Sequence, residues 1–268
     1  MRTMASASAS MSDDSSLRPA PQRLRLLTYN IQAGLRTTDF GHYLTGAWRH
    51  ALPTRDRDEN LPRIAETMRG YDLVAVQEAD AGSLRTVQQN QMAFLAERAG
   101  YKHHGLAVTR DLAPFARICL GWMMQAPPLR VVSHRLPSRI PGRGAIELDI
   151  KFESAGGPIT VLIAHLSLTA KTCEQQLHFL AECLHGRRHA VLIGDLNCTA
   201  GFLREHRALR KIGLTPPQEP PNTYPSWAPS RSIDHVLVTP DLRICRMEAL
   251  PALHSDHLPL AVDIEVRQ

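Results

Sequence analysis

Six segments of this 268-residue chain end or begin an apolar run with a side chain able to hold a metal or move a proton. "LRLLTYN" ends at Asn30, "DLVAVQE" at Glu78 and "PITVLIAH" at His165. "HAVLIGDLN" ends at Asp195 and Asn197, "RSIDHVLV" carries Asp234 and His235 near its start, and "HSDHLPLAV" carries Asp256 and His257. Asp195 and Asn197 are two apart, so both face one side of an extended segment. The donors are carboxylate and amide oxygens together with imidazoles. Glu78, Asp256, Asn30 and Asp195 offer the hard oxygens that suit Mg²⁺ or Mn²⁺. No C-x-x-C pair and no tight histidine spacing points to zinc. A cation of that kind keeps waters and grips phosphate oxygens, and the histidines can then act on protons or on phosphoryl charge. An aspartate beside a histidine fixes its tautomer, a part Asp234 can play for His257 across space.

Each residue alone has an ordinary reading. Asn30 can start a turn, "DLN" can be an Asx-turn, His165 can sit in a core on a backbone partner, and Asp234 and Asp256 can cap loops. Together they require one arrangement, in which the apolar runs are strands whose ends meet at a single sheet edge. Residues 24–31, 72–77, 118–124, 145–152, 159–166, 190–194, 233–239 and 258–266 read as strands. Several are nearly continuous in apolar residues, as strands covered on both faces are. Helical patterns lie between them. One starts near Asn60, with Pro62 in its first turn and Gly70 as its stop. Others span 83–100, 169–186 with Thr169 as a cap, and 202–212. Segments 35–59 and 215–232 read as long irregular loops, the second containing "NTYPSW". Interspersed helices and this many strands indicate an α/β domain with two stacked sheets between helices.

Hydrophobic content of 43% and charged content of 21% are those of a globular domain with ample core. Residues 1–23, rich in Ser, Ala and Pro and without an apolar h-region, read as a disordered tail rather than a secretory signal, leaving 24–268 as the domain. No apolar run approaches the roughly 20 residues needed to cross a bilayer, so no stable membrane insertion is expected. The five scattered cysteines read as reduced thiols of a cytoplasmic protein. A net charge of +5 mildly favours a phosphorylated or polyanionic partner, and 5% aromatic content argues against a broad base-stacking platform. Nothing calls for an obligate protein partner.

In this order, "TYN", "VQEAD", "AHLSL", "GDLN", "SIDHVLV" and "SDHLPL" resemble the endonuclease/exonuclease/phosphatase superfamily, over about residues 24–266. The resemblance implies a four-layer α/β/β/α sandwich of two stacked mixed β-sheets with the active site at one edge. It implies a divalent-metal-dependent phosphoesterase, with Mg²⁺ or Mn²⁺ as cofactor and a phosphate ester as substrate, DNA or RNA included. Carried over by position, Glu78 resembles the main metal carboxylate with Asn30 nearby, and Asp256 a second metal ligand or an orienter. Asp195 and Asn197 resemble the pair that orients the attacking water and contacts the phosphate. His165 resembles the histidine that stabilises the phosphoryl oxygens or assists the leaving group. Asp234 resembles the orienter of His257, and His257 the general base or phosphate contact. "PGRGAIELDI" and "TYPSWAPSRSIDHVLVTP" resemble a bacterial branch of the superfamily in which Arg143 is placed to bind a phosphate bidentately; a surface turn is the other reading, and Arg110 is similar in status. Tyr224 and Trp227 either wall the pocket or pack their loop, and packing is the expectation. "CLGWMMQAP" departs from the family pattern at Leu120 and Trp122, which implies either an altered substrate pocket or change within a core strand. A phospholipid or sphingomyelin phosphodiesterase is a further reading, with "GAWRHALP" (46–53) as its nearest membrane-facing candidate. A catalytically silent binding or scaffold protein is a third, disfavoured because all six motifs keep reactive side chains.

Overall fold

The computed structural model describes residues 23–35, 55–138 and 142–267. The expected tail except Arg23, and the 46–53 segment, lie outside the described residues. Two mixed sheets stack face to face. The first has six strands: β1 (Leu24–Asn30), β2 (Leu73–Asp80), β3 (His103–Leu112), β4 (Ala116–Met124), β10 (Leu242–Ala249) and β11 (Leu260–Val266), in the order β10-β11-β1-β2-β4-β3. The second has five: β5 (Arg130–Arg135), β6 (Gly144–Phe152), β7 (Gly157–His165), β8 (Ala190–Asp195) and β9 (Asp234–Val238), in that order. Helices α1 (Arg55–Thr67) and α2 (Gln91–Ala99) cover the first sheet. Helices α3 (Ala170–Cys183), α4 (Ala200–Glu205) and α5 (Arg207–Lys211) cover the second. This is the α/β/β/α sandwich that the sequence implies. Among the described residues no helix is long and apolar enough to cross a membrane.

Strand alternation sorts the apolar side chains into three cores. Leu24 and Leu26 of β1, Val161 and Ile163 of β7, Val191 and Ile193 of β8 and Val236 of β9 fill the layer between the sheets. Leu27, Tyr29, Val74 and Val76 pack under α1 and α2, and Leu162, Ala164 and Leu192 under α3. Counting on by twos, Asn30, His165, Asp195 and Asp234 fall on the inter-sheet face. β1 with β2 and β7 with β8 are parallel, while β9 and β11 run antiparallel to β8 and β1. The ends of the first four and the starts of the last two therefore share one edge.

The sequence reading departs from the structure in several places. β3, β5 and β10 were not foreseen; each is an edge strand of its sheet. Helix α1 starts at Arg55, so Pro62 sits in its interior rather than its first turn. The single helix expected over 83–100 is a short 3₁₀ turn (Leu84–Thr86) and then α2. Val87 and Gln88 at positive φ break the run, and the Asn90 side chain restarts it by accepting from the Met92 and Ala93 N–H groups at 3.0 and 3.2 Å. The helix expected over 202–212 divides at His206, which has extended ψ and caps α5.

Candidate active site

Asn30 and Asp195 stand on different sheets and meet at the shared edge, where Asn30 Nδ2 donates to Asp195 Oδ2 at 3.0 Å. The Gln32 N–H fixes Asn30 Oδ1 at 3.1 Å. His165 Nε2 lies 3.4 Å from the same Asp195 Oδ2 and 3.8 Å from Glu78 Oε1. Glu78 reaches this point through a β-bulge. Val76 pairs with Gly121 and Ala79 with Cys119, so β2 carries one extra residue there, and Glu78 takes φ 57°. A bulge re-aims a side chain in this way; Ala79 then rejoins the helix-side core with Val74 and Val76.

Asp234 Oδ2 accepts from His257 Nδ1 at 2.9 Å and from the Thr223 hydroxyl at 2.5 Å. The acceptor fixes the tautomer: the Nδ1 proton lies toward Asp234 and Nε2 faces Asp195 Oδ2 at 3.8 Å. The other histidine is held the opposite way. Arg143 Nη1 lies 3.1 Å from His165 Nδ1, and a guanidinium only donates, so His165 Nδ1 accepts and Nε2 carries the hydrogen toward the two carboxylates. The Pro-rich loop grips the mouth of β11. Leu258 N–H donates to the Thr223 carbonyl, Ser226 N–H to the Asp256 carbonyl, and the Ser226 hydroxyl to the Ser255 carbonyl.

The electrostatics are those of crowded carboxylates. Burial, and next Asp256, raise the Glu78 pKa against the opposing pull of Arg143, His257 and Asn30. Burial raises Asp256 as well, and it pushes Asp195 up to about 7. Burial also holds His165 neutral, with the positive charges of Arg143 and His257 acting in the same direction. At His257 burial disfavours the imidazolium, but Asp234, Asp195 and Asp256 together outweigh it and raise the pKa well above the usual value. A cluster with surplus negative charge and oxygen donors fits a divalent cation, and Glu78, Asp256 and Asn30 have the chemistry to hold it. Asp195, Asp234 and His257 also bring ligand atoms within 4.8 Å of one another. In that trio the His257 and Thr223 hydrogens already occupy Asp234 Oδ2, which makes it a hydrogen-bonded relay first.

Asn30, Glu78, His165, Asp195, Asp234 and His257 thus converge, and Asp256 acts on Glu78 and His257 through its charge. Asn197, at φ 51°, donates its backbone N–H to Asp195 Oδ1 and one side-chain N–H to the Leu166 carbonyl. Arg143 spends one donor on His165 rather than presenting its whole fork. Beside Glu78 opens a cavity of about 530 Å³ lined in part by Arg110, Arg143 and Ser167. His235 points away, its Nε2 2.8 Å from the Cys198 carbonyl. Leu120 and Trp122 are buried in the inter-sheet core, so the "CLGWMMQAP" departure is change within a core strand. Tyr224 follows the other of its two readings and stands at the pocket wall, its ring centroid 5.0 Å from that of His257. Thr223 was missed; its only sequence signal is a hydroxyl within a Pro-rich stretch.

The profile of the Endonuclease/Exonuclease/phosphatase family matches residues 27–257. The chain belongs to this family of phosphoester hydrolases. No curated protein matches the chain. Among solved structures it is similar to an endonuclease/exonuclease/phosphatase from Beutenbergia cavernae, with 20% identity and a TM-score of 0.70 over 91% of this chain and 72% of that one. It is similar to a mannosyl-6-phosphatase from Bacteroides thetaiotaomicron, with 17% identity and a TM-score of 0.61 over 90% and 99% of the two chains. The human Nocturnin catalytic domain is a further similar structure, with 17% identity and a TM-score of 0.63 over 92% and 94%.

Proposed function

We propose that the protein is a divalent-metal-dependent phosphodiesterase that cleaves its substrates, nucleic acid among them, by in-line attack of water. The observation that carries this reading is the meeting of Asn30 and Glu78 from one sheet with His165 and Asp195 from the other, within 3.0 to 3.8 Å. Glu78, Asp256 and Asn30 would hold Mg²⁺ or Mn²⁺, which supplies Lewis-acid polarisation of phosphoryl and leaving oxygens. Entering and leaving oxygens of an in-line displacement lie on opposite sides of phosphorus. Asp195 and His257 Nε2, 3.8 Å apart, therefore act on one side, that of the water. Asp195, fixed by Asn30 and by the Asn197 N–H, takes the water proton as the new P–O bond forms. The bond to the leaving alcohol breaks on the far side, beside Glu78, and the alkoxide takes a proton from solvent. The imidazolium of His257, held by Asp234, and the Nε2–H of His165 offset charge on the phosphoryl oxygens.

The test is hydrolysis of bis-p-nitrophenyl phosphate with Mg²⁺ or Mn²⁺ by folded Glu78→Ala and His257→Ala variants. Each should lose roughly 10²–10³ in rate, as removal of one electrostatic group does. Wild-type rates in both variants would overturn the reading.

A further inference from the structure

We propose that Arg110, standing beside Arg143, forms a second anion subsite next to the reacting phosphate, which makes phosphoesters carrying a second phosphate group the preferred substrates. This deepens the proposed function and rests on it for which ester is cleaved.

The two arginines come from different sheets, and the local backbone is built to bring them together. In β3, Val108 pairs with Cys119 and Arg110 with Ile118, so β3 holds one extra residue at this step. The bulge that re-aims Glu78 lies opposite the same stretch of β4. Regular alternation would send Thr109 and Arg110 to opposite faces. Both instead lie against residues 142–144, which lead into β6. A Cβ added at Gly144 would sit 2.9 Å from Thr109 Cγ2, and one at Gly142 would sit 3.2 Å from Arg110 Cδ. Gly142 has φ +139°, where a side chain is strained. The "GRG" triplet thus leaves bare backbone on which the Arg110 stem lies, with Arg143 between the glycines.

Two guanidiniums beside one cavity repel unless an anion lies between them. Both line the 530 Å³ cavity that contains Glu78, and both line an adjoining groove of about 820 Å³. The neighbouring acid does not neutralise them: Asp111 pairs with Arg117 at 3.7 Å. Arg143 is tied to His165 and so belongs to the reacting phosphate. Arg110, exposed and without an ion pair among the described residues, is free to take the next one. Phosphate suits a guanidinium fork.

The experiment compares thymidine 5′-(p-nitrophenyl phosphate) with the same ester bearing a 3′-phosphate. The wild-type KM should be roughly tenfold lower for the second, the scale of one solvent-screened charge-assisted contact. That ratio should fall to about one in Arg110→Gln and persist in Arg117→Gln. A third ester, with the 3′-phosphate linked to a further thymidine, separates the sources. A KM as low as that of the bisphosphate assigns an internucleotide phosphate, and a KM nearer the monophosphate assigns a terminal one. Equal wild-type KM values for all three, or a ratio surviving in Arg110→Gln, would overturn the proposal. If no ester is turned over, the hydrolytic reading fails by itself. The subsite is then read by calorimetry of EDTA-treated protein with thymidine 3′,5′-bisphosphate and thymidine 5′-monophosphate. Equal affinities, or a preference unchanged by Arg110→Gln, would again overturn it.

Discussion

Replacing Thr223 by valine removes one hydroxyl while nearly preserving volume. That hydroxyl donates to Asp234 Oδ2 at 2.5 Å, at the short end for an O–H bond to a carboxylate. Thr223 is 0% and Asp234 1% exposed, so water does not readily replace the lost donor. Asp234 Oδ1 is buried without a partner among the described residues, which leaves His257 as the remaining donor to the carboxylate. A hydrogen bond to a charged group is worth about 1.5–3 kcal/mol net. For a domain of this size each kcal/mol moves Tm by roughly 2–4 °C, so Thr223→Val should melt about 3–12 °C lower. The Asp234 side chain is unchanged but has lost one of two restraints, so the His257 ring is aimed less sharply and kcat should fall by roughly tenfold, well short of replacing Asp234 itself. Thermal melts and bis-p-nitrophenyl phosphate kinetics on the purified variant measure both effects. A double-mutant cycle with Asp234→Asn isolates the bond. Wild-type Tm and kcat in Thr223→Val, or a coupling energy near zero, would refute the argument that this loop aims the relay.

Arg85→Met should destabilise by about 3–5 kcal/mol in urea titrations, because the buried Asp80 carboxylate, 2.6 Å from Arg85 Nε, would lose its cation. Gly194→Ala should abolish folding as followed by circular dichroism: φ there is +143°, and a Cβ would strike the Ala164 carbonyl, backbone that cannot swing aside. Gly121→Ala should be milder, since the obstruction is the flexible end of Met92. Burial raises the Glu147 pKa, but His134 and Arg130 overcome it and hold it below the ordinary 4.5. A carboxyl depressed in the fold contributes stability above its unfolded value and loses it as pH falls through the folded one. Acid melts should therefore show Glu147→Gln losing less stability than wild type below the ordinary 4.5.

The sequence revealed the central strands and the site residues for one physical reason. Strands covered on both faces are apolar runs, and a polar residue ending such a run stands out, as His165 does after "PITVLIA". The unforeseen strands are edges with mixed faces. β5, "RVVSHR", is mostly exposed with no buried residue; β10, "LRICRMEA", mixes charge with helix formers and bulges at Cys245; and β3 carries Gly105, where a Cβ would meet the Trp122 ring. Glu78 was legible as a reactive residue, but its bulge was not, because an extra residue leaves no mark in composition. Thr223 was hidden because its role depends on pairing with Asp234 across the fold.

The site straddles two sheets, so the apolar filling between them sets its gauge. The 3.0 Å from Asn30 to Asp195 is a distance across the sandwich, held by side chains such as Leu26, Ile163 and Ile193 that touch no substrate. Loosening that layer would widen the gap between facing donors while every reactive residue stayed in place, and a blunted enzyme that is still folded would be the first sign that the two halves had drifted apart.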